Sequence, residues 1–295
     1  MNIVKNCILC GSDKLDQYPA AAAPFLAERL WHSNAPTFKL AHCVNCDLSF
    51  YNPRLDSSEL AHLYDNYRDE NYQRQRQAKE PWYTEKINKS VGNDPHEIIS
   101  RKNNLSQILA KKKIDAKAIK AVLDYGGDKG QFIPDEFSSA EKYVYEISGA
   151  NPISGVKMLN DLNQLRPMKF EFIMCSHVLE HVPYPLDVIK EILLITQKNG
   201  LVYLEVPLDS PFYRSGDIFM ARKLNKLFFY LYQLAFRLKE KPPRIYEMHE
   251  HINYFSFASM KYLLQTSGLR IVYMGAKALN LGSSKSEILC CLARS

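Results

Sequence analysis

Between residues 121 and 206 five short apolar runs, AVLDY, KYVYEI, GVKML, EFIMCS and GLVYLEV, alternate with helical or loop segments. Strands that are almost continuously apolar have no face to turn to water. They belong in a parallel sheet that its own crossovers cover on both sides. The crossover before GLVYLEV carries the apolar side such a layer needs, in Ile189, Ile192, Leu193 and Ile195, and Asn199-Gly200 is expected to end it. Farther on, SFASMKYLLQTSG reads as a helix capped by Ser256 and stopped by Gly268, and LRIVYMGA and SEILCCLAR add two strands. The expected class is α/β.

The amino-terminal part obeys a different logic. Four of the seven cysteines form two Cys-x-x-Cys pairs, Cys7/Cys10 and Cys43/Cys46, with 32 residues between them. This spacing lets four thiolates converge on one tetrahedral Zn²⁺, which supplies folding energy to a segment with little core of its own. Four thiolates leave no position for an activated water, so the zinc is expected to be structural, and His32 and His42 are superfluous as ligands. Cys175, Cys290 and Cys291 lie in apolar runs and read as core thiols.

Between these parts, Asn52-Pro53 makes a turn and Ser57-Ser58 is expected to cap a helix carrying Leu60, Leu63 and Tyr64. Residues 67–92 are polar, charged and aromatic without sustained periodicity, the pattern of a linker or mobile arm. A helix is expected over 97–111, with Ile98, Ile99, Leu105, Ile108 and Leu109 along one side. The expected domains are a zinc-binding module (1–55), a helical linker or lid arm (56–118) and a sheet domain (119–295) with a helical insertion at about 209–248. Within that insertion, residues 217–239 form a basic, aromatic stripe at helical spacing, read as a lid and secondarily as a peripheral membrane contact. The apolar segment LFFYLYQLAF is ten residues long, whereas a spanning helix needs about 20. With no signal-like start, a cytoplasmic protein is expected, membrane-associated at most. A net charge of +6 favours anionic partners without choosing among nucleic acid, sugar nucleotides and lipid surfaces.

The loop after the first strand of the sheet, where such folds bind ligands, reads DYGGDKG. A dinucleotide loop must bring N–H groups against a pyrophosphate, which a carboxylate at Asp128 would repel, and the pattern is not Gly-x-Gly-x-x-Gly. S-adenosylmethionine presents a sulfonium and an ammonium, for which Asp124 and Asp128 beside Gly126, Gly127 and Gly130 are suited. Glu146, 22 residues after Asp124 at the end of the next strand, is placed to accept from both ribose hydroxyls.

On these residues the chain resembles the class I S-adenosylmethionine-dependent methyltransferases. The matching runs are VLDYGGDKGQF, YVYEIS, NDL at 160–162 and FIMCSHVLEHVPYPLDVIKEI, within residues 120–295. The double knuckle looks like the zinc-binding module preceding the catalytic domain in sugar methyltransferases of surface polysaccharide or natural-product biosynthesis. The resemblance implies a Rossmann-like seven-stranded sheet with the last strand antiparallel, and methyl transfer by in-line displacement that leaves S-adenosylhomocysteine. It implies cosubstrate contacts from Asp161 and Leu162 near the adenine and from Cys175 and Ser176 at the end of the fourth strand. The family's usual loop has glycine at the position of Asp128.

Methylation of a hydroxyl needs a base, most often histidine. The candidate run is YEMHEHINYFS, with His249, Glu250, His251 and Tyr254. Sugar methyltransferases with the zinc module resemble it in a His-Glu-His run followed by Tyr-Phe-Ser, which implies His251 as base and Glu250 as its support. The same residues could instead brace the following helix. His181 in VLEHV is the rival base or a packing group, and Tyr64, Tyr67 and Tyr72 either close over the acceptor or anchor the arm. The expected function is O-methylation of a sugar hydroxyl, the acceptor being nucleotide-linked or glycan- or lipid-linked. C-methylation is disfavoured because the chain ends after two strands, where the sugar C-methyltransferases of this kind carry a further domain. An RNA methyltransferase is disfavoured by the few basic residues around the knuckles. A non-catalytic zinc-stapled binding module is the third reading.

Overall fold

The computed structural model describes residues 1–212, 245–281 and 284–295. The chain opens with the first cysteine knuckle, then strand β1 (Leu15–Ala22), helix α1 (Pro24–Trp31), and strands β2 (Phe38–Cys43) and β3 (Ser49–Asn52). These strands pair antiparallel in sequence order, and the second knuckle forms the β2–β3 turn. Each knuckle is followed by a left-handed residue, Gly11 at φ 71° and Asp47 at φ 62°, whose N–H returns to the first cysteine's carbonyl at 3.0 and 2.8 Å.

Helix α2 (Ser57–Tyr64) follows, but Asp56 caps it, not Ser57-Ser58. The Asp56 carboxylate accepts from Ser58 and Glu59 N–H while Glu59 returns to the Asp56 N–H, a reciprocal arrangement a serine one residue later cannot make. The expected mobile arm is two further helices, α3 (Glu70–Lys79) and α4 (Glu85–Ser90), capped by Asp69 and Thr84. Periodicity missed α3 because its inward face is Tyr72, Gln73 and Arg76, polar groups buried through hydrogen bonds. Helix α5 (Pro95–Lys111) starts two residues early, with Asp94 as cap. Ile99 points to solvent at 57% exposure, and Arg101 takes the buried position one turn before Leu105.

The larger sheet then assembles from β4 (Ala121–Tyr125), β5 (Glu141–Tyr145), β6 (Val156–Leu159), helix α6 (Leu162–Leu165), β7 (Phe170–Ser176), helix α7 (Pro185–Ile195) and β8 (Thr196–Pro207). These five strands are parallel. Asn199-Gly200 does not end α7; Thr196 already pairs with Phe170, and Asn199, at φ 63°, lies in the irregular stretch of β8 before Leu201 pairs with Phe172. Farther along the chain come β9 (Tyr246–Met248), β10 (Asn253–Tyr254), helix α8 (Phe257–Thr266), β11 (Arg270–Leu281) and β12 (Ser284–Arg294). The large sheet has order β11-β12-β8-β7-β4-β5-β6, with β12 antiparallel to both neighbours. Alternate residues enter two different cores: Phe172 and Met174 pack with α5, while Ile173 and Cys175 pack with α7 and α8. Coverage on both faces is the reason these strands read as unbroken apolar runs.

The amino-terminal strands do not stand alone. Strand β9 pairs parallel with β1, and β10 pairs antiparallel with β3, giving a five-stranded sheet of order β10-β3-β2-β1-β9. The His-Glu-His segment therefore links the two edges of that sheet. Cys7, Cys43, Cys46 and Phe50 also pack in the core shared with α7 and α8, so the expected module is wedged against the larger sheet.

Candidate active site

The glycine loop leaves β4 above a buried carboxylate. Asp124 is 1% exposed and neither oxygen has a hydrogen-bond partner. Burial raises its carboxyl to about 7, with Arg101 offsetting part of the effect. A side chain at Gly127 would bring its Cβ to 2.1 Å from Asp124 Cγ, so only glycine lets the loop lie over this carboxylate. An orphaned buried anion beneath a glycine turn fits a ligand that brings positive charge.

Asp128 adopts φ 55°, the left-handed region where glycine is at home and aspartate is among the tolerated exceptions. Its Oδ2 accepts from Gln131 Nε2 at 3.0 Å and lies on the side of Gly92 and Arg68. The electrostatic argument built on Asp128 therefore passes to Asp124. Glu146 directly follows β5, with its oxygens accepting from Asp128, Ile147 and Ser148 N–H at 3.1, 2.8 and 2.9 Å, which ties it to the glycine loop. Asp161 caps α6 and Leu162 is its first residue, at the end of β6. Ser176 closes β7 with a buried, unpartnered hydroxyl. Cys175 is fully buried in the core and presents no surface to a ligand, because neighbouring residues of a strand face opposite sides.

Past β7 the chain builds a row of charges that sequence reading missed. Arg101 Nε meets Glu205 Oε1 at 2.7 Å; His177 lies 3.3 Å from the same oxygen and, through Nδ1, 3.0 Å from Glu180 Oε1. Burial alone would lower His177, but Glu180 and Glu205 hold it up at about 9, so it is cationic at neutral pH. The only sequence sign was the Arg101 interruption of the α5 apolar stripe.

His181 and His251 meet beyond this row, ring centroids 4.8 Å apart. The His181 Nδ1–H donates to the Glu250 carbonyl at 3.0 Å, which leaves Nε2 as the lone-pair nitrogen, 4.0 Å from Glu180 Oε1. Burial, with His181 alongside, lowers His251 to about 4, so its ring is neutral. The acid beside His251 is Asp209, at 3.7 Å, and not Glu250. Glu250 is instead bound by Arg76 Nη1 at 3.0 Å and by the Tyr72 hydroxyl, because α3 supplies a cation there. His249 faces Glu80 and Glu247 at 3.3 and 3.4 Å and braces the end of α3. Tyr64, Tyr67 and Tyr72 form an edge-to-face series whose first ring meets His181 at 6.1 Å. Tyr72 is buried in the small-sheet core and anchors the arm; Tyr64 is the one against the histidines. Tyr254 packs on Tyr51 and senses the charge of Asp209.

Arg54 holds these loops together. Fully buried, its guanidinium donates to the carbonyls of Tyr51, Val182, Pro183 and Ile252 and to Asn253 Oδ1. Asn253 in turn donates to Leu179 and Val182 carbonyls at 2.8 and 2.7 Å, and the Ile252 and Asn253 N–H groups reach the Glu180 carbonyl.

In the small sheet, Cys7 and Cys46 Sγ are 3.6 Å apart, Cys10 and Cys43 Sγ 3.4 Å, and all four lie within 4.8 Å of one another. A tetrahedron with Zn–S bonds of about 2.3 Å has edges of about 3.8 Å, so the donor set fits zinc. The Cys7–Cys46 contact holds Cys7 down as the thiolate and pushes Cys46 up as the thiol that donates to it, so the pair shares one proton that metal binding would displace. The rest of the expected lid, residues 217–239, lies outside the described residues.

A family model described as a methyltransferase domain matches residues 90–274, more than half of the chain and all of the glycine-loop and histidine elements. No curated protein matches by sequence. Among solved structures, the Burkholderia thailandensis 1,6-didemethyltoxoflavin-N1-methyltransferase is similar at 11% identity and TM-score 0.48, covering 86% of this chain and 98% of that one. The N-methyltransferase NodS from Bradyrhizobium japonicum is similar at 14% identity and TM-score 0.42, over 69% of this chain and 98% of that one. Magnesium protoporphyrin IX methyltransferase from Synechocystis is similar at 15% identity and TM-score 0.40, over 68% and 86%.

Proposed function

The chain belongs to the methyltransferase domain family, and from that premise we propose that this S-adenosylmethionine-dependent methyltransferase O-methylates a sugar hydroxyl in glycan biosynthesis. The observation that carries the reading is the neutral His251 beside Asp209 and His181, at the junction of the two sheets. When bound, S-adenosylmethionine supplies an electrophilic methyl on a cationic sulfur and leaves as S-adenosylhomocysteine. Asp124 provides the buried negative charge beneath the loop, Glu146 the ribose carboxylate, Asp161 and Leu162 the adenine end, and Ser176 a free hydroxyl. The acceptor O–H breaks as its oxygen bonds the methyl carbon, and the C–S electron pair stays on sulfur. Its proton passes to the His251–Asp209 pair, whose carboxylate stabilises an imidazolium as it forms. Tyr64 and Tyr254 shield that transfer from water.

Cys7, Cys10, Cys43 and Cys46 would hold a structural Zn²⁺ that stiffens the sheet from which the His-Glu-His segment is hung. The net charge of +6 suits an acceptor carried on a nucleotide or a phosphorylated glycan lipid. No helix among the described residues is long and apolar enough to cross a membrane.

The test has two stages. Calorimetric titration of the zinc-loaded protein with S-adenosylhomocysteine and, separately, NAD should show micromolar binding of the former alone. Methyl transfer from labelled S-adenosylmethionine to nucleotide-linked sugars and oligosaccharides should then fall at least about a hundredfold in His251→Ala. Label appearing in RNA and in no sugar acceptor would replace this reading.

A further inference from the structure

We infer that Glu180, His181 and His251 form a binding site for one first-row divalent cation, separate from the four cysteines, on the acceptor side of the site. One ligand atom from each residue lies within 4.8 Å of the others. A cation about 2.1 Å from each donor needs them roughly 3.0–3.5 Å apart, so rotations that close about 1 Å complete the set. Two imidazoles and a carboxylate match Mn²⁺, Fe²⁺, Co²⁺ or Zn²⁺, whereas Mg²⁺ and Ca²⁺ prefer oxygen.

Three further observations point to a ligand here. Glu180 is 1% exposed, and its Oε2 has no hydrogen-bond partner, an expensive vacancy for a buried carboxylate. The Glu250 carbonyl fixes His181 in the tautomer that offers Nε2 to the cluster, the arrangement by which a carbonyl orients a metal-bound histidine. The backbone is also braced: the Ile252 and Asn253 N–H groups bind the Glu180 carbonyl, and Asn253 bridges the same two loops. Both ligand loops are thus rigidly connected before any cation arrives. His177 lies 3.0 Å from Glu180 Oε1 and is shared with Glu205, so Oε2 is the carboxylate oxygen left to a cation.

This site rests on the O-methyl-transfer reading and deepens it. The cation draws electron density from the acceptor hydroxyl and positions it. A cation on His251 occupies the lone pair that would otherwise take the proton, so with the cation bound the base is Asp209, 3.7 Å from His251, in place of the imidazole. The O–H bond breaks toward that carboxylate, the oxygen bonds the methyl carbon and sulfur keeps the C–S electrons. A sugar presenting adjacent hydroxyls, able to chelate the cation, is the acceptor class this favours.

The experiment is titration of the zinc-loaded protein with MnCl₂, followed by electron paramagnetic resonance for stoichiometry and affinity and by nuclear magnetic resonance of the histidine rings; diamagnetic zinc in the thiolate site disturbs neither. Expected are one Mn²⁺ bound per chain, broadening of the His181 and His251 imidazole signals in the unsubstituted protein, and at least a tenfold loss of affinity in Glu180→Gln and in His251→Gln. The surface variant His96→Gln should bind as the parent does. Absence of Mn²⁺ binding, or binding that broadens neither imidazole, overturns the site even if a variant fails to fold. A parallel S-adenosylhomocysteine titration reports on the methyltransferase reading alone, so the two fail separately.

Discussion

The two sheets are stabilised by opposite means. The seven-stranded sheet takes its strands from two stretches, 121–207 and 270–294, and they bury apolar residues on both faces. The five-stranded sheet joins β1 to β3 with segments about two hundred residues later, and its junction to the large sheet adds to the shared apolar contacts of Leu48 and Phe50 a set of directional groups: Arg54, Asn253, Glu250 with Arg76, and four thiols. Non-directional burial tolerates substitution, whereas a few directional groups do not. The cosubstrate half should therefore be robust, and the acceptor half should depend on particular atoms.

Removing the metal from the cysteines strikes the weaker sheet hardest. Chelation, or Cys43→Ala, should abolish methyl transfer and expose the amino-terminal 55 residues to protease, because structural zinc contributes on the order of 10 kcal/mol. If S-adenosylhomocysteine binding disappears in step with the protease protection, the two halves do not differ as described. Arg54→Leu comes next. It leaves carbonyls in two loops without their donor and should lower stability by about 3 kcal/mol, with a larger fall in kcat than in cosubstrate affinity. An equal loss of both would show that Arg54 serves the whole fold.

Asp124→Asn tests the robust half with a predicted sign. The folded carboxyl titrates at about 7 against 3.8 for the ordinary side chain, so the native state holds the proton longer and loses stability as pH rises between those values. The asparagine variant should be more stable than the parent at pH 8 by about 4 kcal/mol, the gap closing toward pH 4, while S-adenosylhomocysteine affinity falls at least about tenfold. Thermal melts at both pH values decide it. Asp128→Gly should be the mildest: the φ of 55° already suits glycine, so stability should change by less than about 1 kcal/mol and cosubstrate affinity by less than about threefold. A large loss would return Asp128 to the ligand.

The larger sheet was legible because an unbroken apolar run is a local property: Val122, Phe172 and Val202 are buried wherever their strand is put in a covered sheet. The glycine positions and Asp124 were legible for the same reason, since a turn constrains its own residues. Helix α3 was not, because Tyr72, Gln73 and Arg76 are buried only through partners elsewhere, among them Glu250, about 170 residues on. The acid beside His251 was not legible: the resemblance to sugar methyltransferases implied Glu250, whereas the fold turned that side chain to Arg76 and brought Asp209 to His251 instead.

Periodicity and spacing by themselves thus determined the α/β sheet, the glycine turn after its first strand and the convergence of four thiols, each set by residues near in sequence or by metal-ligand spacing. Only the tertiary structure decided that β9 and β10 complete the amino-terminal sheet, that Arg54 locks it to the loop after β7, and that Glu180, His181 and His251 share one place. Such polar pairings carry no periodic signature; their energy depends on geometry between distant segments, and that geometry exists only once both sheets have formed.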